Sequence, residues 1–342
     1  MLDSDDRVAI LAHEKFPERA KTAVGILRYA DYDVNAVLDR TKPGERVSDH
    51  VDDLPDVPIV ESMADAPEVD ALMIGIAPIG GGFDESWRPD VRTAIERGCD
   101  VVAGLHYFLD EDEELAALAA DHDVELWDVR HPPDGLTVSE GVASEVDAEV
   151  VLTLGTDCST GKMTTSMELV AAAREAGIDA AMVPTGQTGI MIEGWGTPID
   201  RVVSDFVAGA VEDLILAAAE SHDLLVVEGQ GSITHPAYSA VTCGILHGAM
   251  ADRLVLCHAV GREAIHGYES FPLLEPDHYA ELYESLAAPV RETTVVAGAL
   301  NTSSLADDDE AREAVDAYAE ALGAPATDPV RFAAAEVLDE LC

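Results

Sequence analysis

The sequence predicts an α/β protein of two parallel-sheet domains. A Rossmann-like domain with its linker spans residues 1–147, and a P-loop NTPase-like, three-layer α/β/α domain spans residues 148–342. Three observations predict it. Short β-branched or apolar runs alternate with longer helical patterns, the signature of right-handed βαβ units and a parallel sheet covered on both faces. The length of 342 residues suits two domains at ~150 residues each. A turn-rich stretch, His131-Pro132-Pro133-Asp134-Gly135, opens a linker that divides the chain.

In the first half, RVAILAH, DVNAVLD, DALMIGIAP, DVVAGLH and DVELWDV read as strands. Helical patterns cover Ala20 to Tyr29, Ser86 to Arg97 and Glu111 to Asp121. The turn after the first strand, AHEKFPERAK, lacks G-x-G-x-x-G, so a dinucleotide site there is not supported. Gly80, Gly81 and Gly82 follow a strand and read either as a ligand loop or as a flexible turn. In the second half the strands are EVVLTLG, DAAMVPT, DLLVVEG, DRLVLCH and ETTVVAG. Helices fit Lys162 to Ala176, Ser204 to Ser221, Ala237 to Met250, Asp277 to Ala287, Asp307 to Leu322 and Val330 to Leu341.

Acidic residues number 67 against 20 basic ones, a net charge of −47, while 48% of residues are hydrophobic. The apolar content argues against disorder, which needs low hydrophobicity as well as high charge. The charge argues against nucleic acid and against an anionic membrane, since phosphates are repelled. It fits a high-salt cytoplasm, where self-repulsion is screened. The five cysteines, Cys99, Cys158, Cys243, Cys257 and Cys342, form no C-x-x-C pair, so neither a disulfide framework nor a zinc site is expected. The N-terminus has no signal-peptide pattern and no run reaches a membrane-spanning length, so a cytoplasmic protein is expected.

The strongest local signal is VVLTLGTDCSTGKMTTSMELVAAAREAG: strand, glycine loop, helix. Loop N–H groups and the helix N-terminus converge on an anion, and Lys162 adds a point charge. The chain has only four lysines, Lys15, Lys21, Lys42 and Lys162, and one stands in this position. The expected phosphate contacts are Gly155, Thr156, Asp157, Cys158, Ser159, Thr160, Gly161, Lys162, Met163 and Thr164. Met163 replaces the usual metal-holding Ser or Thr, so Thr164 or Thr165 takes that role or none does. DLLVVEGQG ends a strand on Glu228, a Walker-B-like carboxylate, and gives a second metal candidate. Glu228 and His235 are candidate general bases; His235 reads equally as a structural histidine. Thr185, Gln187, Thr188, Gly229, Gln230 and Gly231 are candidate substrate contacts in glycine loops at strand ends. Arg201 is either a carboxylate clamp or the (i, i+4) partner of Asp205 at the start of a long helix. Asn301 is either a nucleotide contact or a turn cap. HAVGREAIHGYESFPLLEP reads as an inserted active-site loop; His247, His258 and His266 lack zinc spacing.

The loop G-T-D-x-x-x-G-K is similar to that of dethiobiotin synthetase, in which a late asparagine such as Asn301 contacts the base. More broadly, LRYADYDVNAVLD, GTDCSTGKMTT, PTGQTGIMIEGWG, VEGQGSITHPAYS and ALNTSSL resemble a two-domain family whose characterised members are D-glutamate N-acetyltransferases of the DgcN type. The resemblance implies acetyl transfer from acetyl-CoA to the amine of D-glutamate, a small anionic substrate, and a homo-oligomer. On this reading the P-loop cradles the coenzyme's pyrophosphate, and Lys162, Glu228 and His235 are the catalytic residues. Two rivals remain: an ATP- and Mg²⁺-dependent ligase or kinase acting on a small carboxylate, and a non-catalytic nucleotide-binding regulator.

Overall fold

The computed structural model describes residues 2, 5–78 and 80–341. They divide into two compact units, one of residues 1–132 with 187–198, the other of residues 133–186 with 199–342.

The first unit holds β1 (Arg7–Leu11), α1 (Lys21–Tyr29), β2 (Asp33–Leu38), β3 (Ile59–Val60), β4 (Ala71–Ile74), α2 (Arg88–Glu96), β5 (Asp100–Ala103), α3 (Glu113–His122) and β6 (Leu126–Asp128). Its sheet runs β3-β2-β1-β4-β5-β6, parallel throughout. The apolar runs read as strands are these strands, and β1 and β4 are buried almost end to end because helices cover both faces. In this unit the two-residue β3 escaped the sequence, being too short to show periodicity. Gly80 and Gly81 have left-handed backbones, and a Cβ on Gly81 would lie 2.3 Å from His106. The Gly81 carbonyl accepts from the N–H groups of His106 and Tyr107, so this stretch is a hydrogen-bonded turn.

The second unit holds β7 (Glu149–Gly155), α4 (Lys162–Glu175) and β8 (Ala180–Val183). The chain then passes through α5 (Gln187–Glu193), which clusters with the first unit. It resumes with α6 (Val207–Ala219), β9 (Leu224–Val227), α7 (Ser239–Ala249), β10 (Arg253–Ala259), the hairpin β11 (Ala264–Ile265) and β12 (Tyr268–Pro272), α8 (Pro276–Ala287), β13 (Thr294–Asn301), α9 (Asp308–Leu322) and β14 (Ala326–Thr327). The main sheet is parallel in the order β14-β13-β10-β7-β9-β8. Strand order reverses beside β7, and such switch points are where open α/β sheets bind ligands.

Four expectations are corrected. Residues 185–189, read as a polar glycine loop, run from Gln187 onward into α5, whose Thr188 hydroxyl meets that of Thr22 at 2.9 Å. Asp200 and Arg201 do not begin a long helix. Ile199–Arg201 and Ser204–Phe206 are separate 3-10 turns before α6, so the helical spacing from Arg201 to Asp205 is absent. Val330 to Leu341 is no α-helix; a π turn at Pro329–Ala333 gives way to 3-10 backbone at Ala334–Glu340, broken by the left-handed Ala333. Finally, residues 133–147 are packed chain of the second unit rather than a loose linker. The Glu212 carboxylate on α6 accepts from the N–H groups of Glu140, Val142 and Ala143 and from the Ser139 hydroxyl. Burial alone would raise the pKa of Glu212; those bonds outweigh it and hold the carboxyl below its usual range.

Candidate functional site

The site lies at the carboxyl ends of β7, β9, β10 and β13. β7 ends at Gly155, and the chain turns through 156–161 into α4. Ser159 and Gly161 have left-handed backbones, with φ of 55° and 101°. Gly161 stands at the N-cap of α4 with no side chain capping it, so the first N–H groups of the helix remain available to an anion. A Cβ on Gly161 would approach nothing nearer than Asn301, at 4.0 Å.

Lys162 is buried, and its Nζ donates to the Asp157 carbonyl at 2.9 Å, folding the side chain along the loop. Burial lowers its pKa, while the nearby Cys158, Cys257, Asp157 and Glu228 oppose that shift. A Cβ on Gly155 would lie 2.6 Å from Nζ, which explains glycine at the strand end. Asp157 is wholly buried. Its Oδ1 accepts from the Cys158 N–H; its Oδ2 accepts from Arg262 Nη1 at 2.6 Å and from the His266 N–H at 2.9 Å. The segment read as an inserted loop therefore contains the hairpin β11–β12, and bonds from Arg262 to Asp157 and to the Cys158 carbonyl and from His266 to Asp157 tie it to the P-loop.

The neighbouring strand ends complete the floor. Tyr283 donates to the Gly155 carbonyl and Ser232 to the Thr156 carbonyl. The Thr156 hydroxyl meets His258 Nδ1 at 2.8 Å. Burial, helped by Arg262, pulls the His258 pKa down to about 4, so this ring is neutral at pH 7. Thr165 receives the Cys257 thiol, a long contact of 3.6 Å, and Thr164 is half-buried in the first turn of α4.

Glu228 is buried beyond β9 and accepts from the N–H groups of Thr185 (3.2 Å) and Gly186 (3.0 Å). The Thr185 hydroxyl donates to the Glu228 carbonyl, and Gln230 Nε2 donates to the Thr185 carbonyl at 2.6 Å. Gly229 donates its N–H to Thr153 Oγ1, and a Cβ there would sit 1.8 Å from the Thr153 carbonyl oxygen; its role is close packing rather than ligand binding. Gly231 turns with φ of 65°. His235 is buried, and burial lowers its pKa. Its Nδ1 accepts from the Ala237 N–H at 3.1 Å, so the ring carries its proton on Nε2 and acts as a donor, which disfavours the expected general-base role.

Thus Gly155–Thr164, Thr185, Glu228, Gln230 and His235 gather in the second unit. Asn301 ends β13 against Gly161 and also caps its turn, accepting from the Ser303 N–H. Gln187 and Thr188 belong to the first unit, and Arg201 is exposed on its 3-10 turn. Sequence reasoning missed Tyr283 and Ser232, whose bonds to loop carbonyls come from distant segments without a local motif. It also gave no role to the tie from Arg262 to Asp157.

No helix among the described residues is long and apolar enough to cross a membrane. Residues 137–338 match the P-loop domain, and residues 40–132 the Rossmann-like domain, of the family of unknown function DUF1611. The chain is 38% identical to a D-glutamate N-acetyltransferase from Pseudoalteromonas sp, over 79% of this chain and 81% of that one. It is 35% identical to a D-glutamate N-acetyltransferase from Tritonibacter scottomollicae, over 81% and 83%. It superposes on the crystal structure of a DUF1611 family protein from Anabaena variabilis with a TM-score of 0.93 and 38% identity, covering 98% of this chain and 99% of that one. The two domain matches and these relatives place the chain in the DUF1611 family.

Proposed function

We propose that this chain transfers the acetyl group of acetyl-CoA to the amine of D-glutamate. The observation that carries the reading is identity of 35–38% over about four-fifths of the chain with two proteins of that name. The P-loop site supports it physically. Both reactants are anions, and in a chain of net charge −47 the N-terminus of α4 with Lys162 concentrates positive charge at one spot. The loop from Gly155 to Met163, with Asn301 beside Gly161, suits the coenzyme's phosphates. Thr185, Gln230 and Gly231 stand where the acceptor's polar groups meet the strand ends.

Acetyl transfer needs an unprotonated amine, so a base must take a proton. Glu228 suits that role because it ends a buried strand and two N–H bonds hold its carboxylate in place. Lys162 offsets the charge of the coenzyme's phosphates at the loop, and burial makes that field stronger than in water. Thr164 and Glu228 are the groups that would hold Mg²⁺ if the donor were a nucleoside triphosphate.

Mass-spectrometric product analysis with D- or L-glutamate, acetyl-CoA and ATP in every combination, at high salt, tests the reading. N-acetyl-D-glutamate formed from acetyl-CoA without ATP is expected. ADP or phosphate release that depends on D-glutamate, with no acetylated product, would replace it with a ligase or kinase.

A further inference from the structure

A phosphate cradle that carries its own carboxylate is at odds with its ligand. Asp157 is the one acid between Gly155 and Met167, and it is wholly buried. A buried carboxylate repels incoming phosphates, and the low dielectric around it makes the repulsion larger than in water. Lys162 Nζ is bonded to the Asp157 backbone carbonyl rather than to its carboxylate. The neutralising partner comes from 105 residues away. Arg262 lies half-buried in the turn between β10 and β11, and its Nη1 donates to Asp157 Oδ2 at 2.6 Å and to the Cys158 carbonyl at 3.3 Å. The His266 N–H donates to the same Oδ2 at 2.9 Å, and the Cys158 N–H donates to Oδ1 at 2.7 Å. Both carboxylate oxygens are therefore engaged. One guanidinium nitrogen spans the Asp157 side chain and the Cys158 backbone, so it fixes the peptide between them as well as offsetting the charge. Arg262 also helps keep the His258 ring neutral, and that ring meets the Thr156 hydroxyl at 2.8 Å. Two consecutive loop residues thus contact groups that feel the same cation.

We propose that Arg262 is a positioning residue for the acyl donor. Acting through Asp157, it cancels the one negative charge in the loop and holds the 157–158 peptide, and this makes the loop fit to take phosphates. The proposal rests on the reading above that brings the coenzyme's phosphates to this loop. Arg262 is committed to Asp157 and Cys158 and has no need to touch the ligand. An ion pair with a structural role alone would govern stability; this pair governs coenzyme affinity, and charge bookkeeping separates the two. Removing Arg262 alone leaves an uncompensated buried carboxylate where the phosphates bind. Removing both charges leaves a neutral loop whose side-chain shapes are nearly kept.

The test titrates the full-length protein with acetyl-CoA and, separately, with inorganic pyrophosphate, and follows initial rates. Arg262→Gln should weaken both ligands roughly tenfold or more. It should raise the KM for acetyl-CoA by the same factor, with kcat and the KM for D-glutamate near wild type, because the lost interaction serves binding alone. The double variant Asp157→Asn/Arg262→Gln, which removes the buried charge together with its partner, should bind both ligands at near wild-type strength. Arg253→Gln makes the same change of net charge at the opposite end of β10, where Arg253 pairs with Glu149, and should alter neither affinity. An Arg262→Gln protein that binds as tightly as wild type, or a double variant as weak as the single one, overturns the role of Arg262. Wild-type protein that binds pyrophosphate yet forms no N-acetyl-D-glutamate overturns the acetyltransferase reading, and the pyrophosphate titrations of the variants still decide the role of Arg262. Wild-type protein that binds neither ligand overturns both.

Discussion

At the scale of single residues, the loop motif announced most of the site. Lys162 was legible because lysine is so scarce in this chain and because Gly161 precedes it. Its buried amine lies along the loop, so Lys162→Ala should reduce transfer roughly 100-fold or more, as loss of one electrostatic donor does elsewhere. A thermal melt matching wild type would show that the fold survives. Glu228 was legible as an acid ending an apolar strand. Glu228→Gln keeps the shape and removes the proposed base, so kcat should fall while the melting temperature holds. An unchanged kcat would reassign the base. Gly229 reads in sequence as ligand-facing, but the Thr153 carbonyl beside it makes it a packing residue, a fact set by a strand 76 residues away. Gly229→Ala should destabilise the protein by about 3 kcal/mol, measured by denaturant unfolding.

At the scale of elements, strands were read well because parallel strands covered on both faces form continuous apolar runs. Elements governed by remote packing were read poorly. The 187–193 segment carries Thr188 and Gly189, both poor helix formers, in its first turn, and forms α5 with tertiary packing such as the buried contact between Thr188 and Thr22. The 330–341 segment has helical periodicity, but the left-handed backbone at Ala333 breaks it into a π turn and a 3-10 stretch. The segment 139–143 is fixed through Glu212, whose folded pKa is depressed. Its contribution is full above the unfolded carboxyl pKa, ~4.3, and drains as pH falls below that value. Glu212→Gln should cost about 2 kcal/mol at pH 7 and progressively less in acid. His258 behaves the other way round: a neutral buried ring must take up a proton to unfold in acid. Stability should decline as pH falls from the free-histidine value of 6.5 toward about 4, and His258→Gln should flatten that slope.

At the scale of the whole molecule, a net charge of −47 dominates. Self-repulsion opposes folding in dilute buffer, and at 1 M salt the Debye length shrinks to ~3 Å. The melting temperature should climb steadily from low salt to molar KCl; a flat or falling curve would remove the high-salt reading. On the proposed reading, the same charge makes the start of α4 the place where an anionic substrate would meet helix N–H groups and the Lys162 amine. The central claim is that acetyl transfer to D-glutamate occurs at this P-loop, and its most direct test is binding and turnover by Lys162→Ala beside wild type. Calorimetric titration with acetyl-CoA, followed by rate measurement with D-glutamate, should show affinity and rate both lost in a variant that melts normally. Undiminished affinity and rate would place the chemistry elsewhere.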